Sequence, residues 1–101
     1  MKRLIASLSL LAMLTACQTS STKENPLLTE STLDYQAPDF SKIRPAHIVP
    51  AIEEGIRIQL AEIDSITSNT AAPTFENTVL AYEKSGRLLA RATSILSALV
   101  G

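Results

Sequence analysis

The chain has 101 residues, and its 9 Lys and Arg against 10 Asp and Glu give a formal charge of −1. His47 and Cys17 are its only His and Cys, and Gly55, Gly86 and Gly101 its only Gly. That inventory excludes the usual zinc ligand sets, an internal disulfide and a Gly-rich phosphate loop. The balanced charge gives no reason to expect nucleic acid as a partner.

Residues 1–16 read as an address. Lys2 and Arg3 form a positive start, and residues 4–16 carry Leu, Ile, Met or Ala at 10 of 13 positions. That length fits the ~7–15 residues of a signal h-region and falls short of the ~20 that span a bilayer. The stretch ends Leu14-Thr15-Ala16-Cys17, which resembles the bacterial lipobox. Cleavage is expected between Ala16 and Cys17, with lipid on the Cys17 thiol at the new N-terminus. A secretory signal with a chance Cys is the plainer alternative. Gln18 stands where an Asp would suggest retention at the inner membrane, so the expected location is the outer membrane, facing the periplasm.

Cleavage would leave 85 residues with seven Lys and Arg against ten Asp and Glu, a formal charge of −3. Residues 17–25 combine the lipidated Cys with a polar tether, QTSSTKEN, which has no apolar residue to bury. Residues 26–44 read as an extended arm, with Leu27, Leu28, Leu33 and Tyr35 as anchors. No repeat and no sustained strand-like alternation follows.

The fold class expected is all-α, with a helical hairpin over residues 45–101. In the first helix, Pro45–Thr67, Ile48, Ile52, Ile56, Leu60, Ile63 and Ile66 recur every three or four residues and mark one face. Pro50 argues for a turn over 45–48 and a main helix starting near Val49. Glu53 and Arg57 stand in the favourable i,i+4 order. A loop of about seven residues follows. Thr74 is a good N-cap for the second helix. Phe75, Val79, Tyr82, Gly86, Leu89, Thr93, Leu96 and Val100 form a heptad seam there, with a second stripe at Leu88, Ala92, Ile95 and Leu99. Gly86 on the seam suggests close approach of another helix. Ile95, Leu96, Ala98, Leu99 and Val100 surround the helix end, which one partner helix cannot cover. Truncation inside a larger helical domain is the expectation.

No catalytic residue emerges from the residues themselves. His47 sits at a helix start with no obvious carboxylate partner, and reads as a surface or capping histidine. Adjacent Glu53 and Glu54 point about 100° apart on a helix and read as a solvated face. Lys84, Arg87 and Arg91 form a basic stripe at i, i+3, i+7, either solvated or set against an acidic surface elsewhere in a larger protein.

Three blocks carry a family resemblance over about residues 25–101. The first is Asn25-Pro26-Leu27-Leu28 with Ser31-Thr32-Leu33-Asp34-Tyr35. The second is Phe40-Ser41-Lys42-Ile43-Arg44-Pro45-Ala46-His47-Ile48-Val49-Pro50. The third, most specific, is Pro73-Thr74-Phe75-Glu76-Asn77-Thr78 followed by Glu83-Lys84-Ser85-Gly86-Arg87-Leu88-Leu89. Together they resemble the extreme N-terminal part of the thimet oligopeptidase family, in its bacterial peptidyl-dipeptidase (oligopeptidase A-like) branch. Ile48 and Ile52 stand where relatives usually carry aromatics.

The resemblance implies a large helical zinc metallopeptidase whose halves flank a channel admitting short peptides. It implies dipeptide release from C-termini, with zinc held by His-Glu-x-x-His and a downstream Glu. That motif cannot be written with one His, so no catalytic or metal-binding residue carries over to this chain, and no cofactor is expected in it. Its expected part is channel wall, with the remainder of the peptidase as partner, short peptides as substrates of the whole, and the membrane contacted through Cys17. The alternative is a small non-enzymatic lipoprotein that binds a partner or dimerises through its helical seam. The reading frame beyond codon 101 discriminates the two.

Overall fold

The computed structural model describes residues 25–101. The signal segment, the Ala16–Cys17 cleavage site, the lipid site at Cys17 and nearly all of the tether lie outside the described residues.

The described residues are helical, with no strand among them. Two single 3-10 turns, Pro26–Leu28 and Asp34–Gln36, lead into helix α1, Pro45–Thr67. After residues 68–74 the chain enters a wide π-type turn, Phe75–Leu80, which runs on into the short helix α2, Ala81–Glu83. Helix α3, Arg87–Val100, follows a break at Gly86.

Helix α1 begins at Pro45 and not near Val49. Pro45 presets the helical φ at the first position. The Arg44 backbone N–H donates to His47 Nδ1 at 3.0 Å, and the His47 N–H donates to the Arg44 carbonyl at 2.9 Å. These bonds close the first turn, so the chain is already helical when it reaches Pro50. What Pro50 then costs is one bond early in a 23-residue helix.

The second rod differs more from expectation. Thr74 caps it as the sequence suggests: its Oγ1 accepts from the Asn77 N–H at 3.0 Å, and Asn77 Oδ1 accepts from the Thr74 N–H at 2.7 Å. But the helix is not continuous. The π turn widens its first stretch, and Gly86 adopts φ 70°, in the left-handed region. Both change the phase of the side chains, so the heptad seam does not hold. Leu88, Ala92 and Ile95, from the second stripe, are the buried residues of α3, while Phe75, Val79, Tyr82 and Val100 are exposed.

α1 and α3 pack antiparallel. Gly55 faces Leu89, and Gly86 faces Gln59 and Glu62, so contacts advance along one helix as they retreat along the other. The core consists of Leu27, Ile48, Ala51, Ala92 and Ile95, with Leu28, Ile43, Ile52 and Leu96 packed against it. The face of α1 turned to α3 therefore runs through Ala51, Gly55, Gln59 and Glu62. The isoleucine face expected from the periodicity is divided: Ile48 is buried and Ile52 packs on the core, Ile63 and Ile66 are half-buried, and Ile56 and Leu60 are exposed. Small residues won the contact because they let the two backbones come close.

Candidate functional site

The best-organised polar feature is a clasp that holds the arm onto the hairpin. Asn25 is buried; its Nδ2 donates to the His47 carbonyl at 2.8 Å, and its Oδ1 accepts from the Leu27 N–H at 3.0 Å. Both halves of the amide are thus used to set Leu27 into the core, where it is 2% exposed. Full burial of a Leu side chain contributes about 1.5–3 kcal/mol. From the other side, the Arg91 guanidinium donates to the Leu27 carbonyl, through Nη2 at 3.1 Å and Nε at 3.4 Å. One arm residue is therefore gripped from α1 and α3 together.

Beyond the clasp, the arm and α3 enclose a cleft of about 170 Å³ that includes Leu33, Pro38, Ile43, Arg91 and Ile95. Its rim carries Asp39 and Lys42, an ion pair at 3.1 Å. Hydrogen bonds from Ser41, and then Lys42, hold the Asp39 carboxyl below its usual range. Of the four expected anchors, Leu27 and Leu28 pack in the core, while Leu33 and Tyr35 are exposed. Tyr35 and Gln36 take φ 58° and 56°, so the arm reverses there and turns Tyr35 away from the core. Ile43 does the packing expected of them.

The other candidates resolve into structural roles. His47 caps α1 with its ring and anchors Asn25 with its carbonyl. Arg57 pairs with Glu54 at i,i+3, through Nη2 at 2.7 Å and Nε at 2.8 Å, and not with Glu53. This pairing lowers the Glu54 carboxyl and raises the Arg57 guanidinium. The basic stripe is divided. Lys84 lies before the break at Gly86, Arg87 is exposed on α3, and Arg91 is half-buried in the clasp.

Among the described residues no three His, Cys, Asp or Glu side chains converge as metal ligands, and His47 Nδ1 is occupied by the Arg44 N–H. No helix among them is long and apolar enough to cross a membrane.

By composition Asn25 falls in the solvated tether and needs no special role, whereas the structure buries it; nor does the sequence single out Gly55. A signal for Asn25 was present, since Asn directly before Pro is a common cap for a first turn. Gly55 showed only as a Gly in mid-helix, which by itself often marks close packing.

No family model matches the chain. Two curated relatives do. Over 75 residues it is 51% identical to the dipeptidyl carboxypeptidase of Salmonella typhimurium (strain LT2), covering 74% of this chain and 11% of that protein. Over 78 residues it is 47% identical to the dipeptidyl carboxypeptidase of Escherichia coli (strain K12), covering 77% and 12%. The chain matches a segment of dipeptidyl carboxypeptidase. It spans about a ninth of the length of these relatives, and the match takes in most of the residues outside the signal-like start.

Proposed function

We propose that this chain is the non-catalytic, N-terminal helical part of a lipid-anchored, zinc-dependent peptidyl-dipeptidase of the thimet oligopeptidase family. The observation that carries this reading is 51% identity over 75 residues to a dipeptidyl carboxypeptidase. Identity of that order, running through a capped helical hairpin with a buried arm, fits the same fold serving the same structural part. The parent removes dipeptides from the C-termini of short peptides. This segment supplies wall to the channel that admits them, while zinc and its ligands come from elsewhere in the protein. The Leu14-Thr15-Ala16-Cys17 tetrad supports an anchor on Cys17, in the outer membrane facing the periplasm.

A chimera tests the peptidase part. The matching segment of the Salmonella dipeptidyl carboxypeptidase is replaced by that of this chain. Soluble protein with chelator-sensitive dipeptide release is the expected result. A chimera that folds but releases no dipeptide overturns the reading, and a monodisperse dimer of this chain alone would then favour the small partner-binding lipoprotein. The anchor is tested separately. Cys17→Ser should abolish incorporation of labelled palmitate and block processing after Ala16. Processing at another bond with no label overturns it.

A further inference from the structure

The α1 helix is apolar on two sides, and α3 covers one of them. Its covered side is made of Ala51 and Gly55, with Gln59 and Glu62 reaching Gly86. At about 100° per residue, Val49, Ile56 and Leu60 lie roughly 100–140° around the helix from Gly55. All three are exposed, by 62%, 45% and 63%. A helix face turned to water ordinarily carries charged or polar side chains; this one carries branched aliphatics.

We propose that the Val49–Ile56–Leu60 stripe is the seat of one further helix, supplied in cis by the remainder of the parent peptidase. This rests on the peptidase reading above. Three observations choose the occupant. The stripe follows i, i+7, i+11, a ridge that fits the groove of a roughly parallel or antiparallel helix. It runs only about 16 Å along α1. A standard interface between separate proteins takes about 20–30 residues a side, so three residues over that length match one helix of the same domain better than a second copy. The relatives matched here are eight to nine times longer than the segment they share with this chain, so they have sequence to supply it. Glu53 and the Arg57–Glu54 pair stand on α1 as well. By helical position Glu53 and Arg57 border the stripe on its outer side, so the seated helix presents an apolar ridge with a polar edge there. In this arrangement α1 is the middle layer of three, with Ile48, Ala51 and Gly55 toward the arm and α3 and Val49, Ile56 and Leu60 toward the parent.

The test places Ile56→Asp and Leu60→Asp together in the Salmonella chimera and in the 101-residue chain. In the chain alone, circular dichroism should show unchanged helicity, because neither residue faces α3. In the chimera the double substitution should lower the melting temperature and reduce dipeptide release by tenfold or more. Ile56→Leu with Leu60→Ile should restore both. Wild-type melting and activity of the double-Asp chimera would overturn the proposal. So would loss of helicity in the chain alone, which would show that the stripe serves the hairpin itself. A dimer of the chain that the double substitution dissolves, with the chimera unaffected, would assign the stripe to a second copy. If the unsubstituted chimera is inactive, the peptidase reading itself fails, which separates that failure from this one.

Discussion

Gly55 on α1 faces Leu89 on α3 so closely that a Cβ at position 55 would stand 2.8 Å from the Leu89 Cα and 2.9 Å from its N. Both atoms are backbone, so no rotamer change relieves the clash, and the helices must separate. Alanine raises helix propensity by about 1 kcal/mol over glycine. Overpacking in a close contact costs about 1–3 kcal/mol. With backbone on the far side, the upper part of that range applies and the loss wins. Gly55→Ala should lower the midpoint of urea unfolding, and Gly55→Leu should lower it further. An unchanged or raised midpoint for Gly55→Ala would mean the helices cross further apart than described.

The clasp at Leu27 makes a separate prediction about the arm. Asn25→Ala removes the bond to the Leu27 N–H and the donor to His47, and a buried donor left without a partner costs about 1–3 kcal/mol. Arg91→Ala frees the Leu27 carbonyl on the other side. Each variant should expose residues 29–40 to faster limited proteolysis while most α1 and α3 helicity remains. Arg91→Lys should fall between, since an ammonium keeps the charge but lacks the planar fork. Equal proteolysis rates in all four proteins would show that Leu27 burial alone holds the arm.

How much of this was legible follows from where each signal lives. Thr74 and the loop before it were readable because capping is local chemistry: a hydroxyl, three residues, one backbone N–H. The two long helical stretches were readable because apolar residues recur at helical spacing. Which stripe would be buried was not. Periodicity ranks faces by hydrophobicity, and the apolar face of α1 enters the core only at its start, through Ile48 and Ile52, leaving Ile56 and Leu60 exposed. The contact instead went to Ala51 and Gly55, which look unremarkable in a sequence and matter only when a second backbone arrives. At Gly86 the sequence suggests close approach of a helix, but what lies there is the end of the Gln59 side chain, 2.6 Å from where a Cβ would stand; the close backbone approach is at Gly55. The left-handed φ of Gly86, and the resulting loss of heptad phase beyond it, could not be read from spacing. The Glu54–Arg57 pair similarly won over Glu53–Arg57 by side-chain geometry that spacing rules leave open.

That pair gives a pH and salt signature. Hydrogen bonds from Arg57 lower the Glu54 carboxyl in the folded chain. A carboxyl lowered on folding contributes stability above its unfolded pKa of about 4.3. The contribution is lost as pH falls through the lowered folded value. Comparing the chain with Glu54→Gln, the difference in unfolding midpoint should be constant well above the unfolded carboxyl range of about 4.3 and shrink progressively as pH falls below it. Both groups are solvated, so the difference should be small and shrink in 1 M salt, where screening acts within about 3 Å. A difference that grows on acidification would show that Glu54 is not held by Arg57.

Metal dependence separates this chain from its proposed parent. Zinc-catalysed hydrolysis requires a metal on about three protein ligands, with a base placed beside its bound water. The sequence offers one His, whose Nδ1 caps α1, and one Cys, the proposed lipid site. Its carboxylates are dispersed, and among the described residues no three ligand side chains converge. Titrating zinc into the 101-residue chain should give no stoichiometric binding by calorimetry, and short peptides with free C-termini should survive incubation with it. The active chimera should release dipeptides, stop on addition of a chelator and recover when zinc is returned. Cys17→Ser, which removes the one thiol, should leave that absence of stoichiometric binding unchanged. Chelator-sensitive dipeptide release by the chain alone would place a complete site within these residues and overturn the proposed division of labour between this segment and the rest of a peptidase.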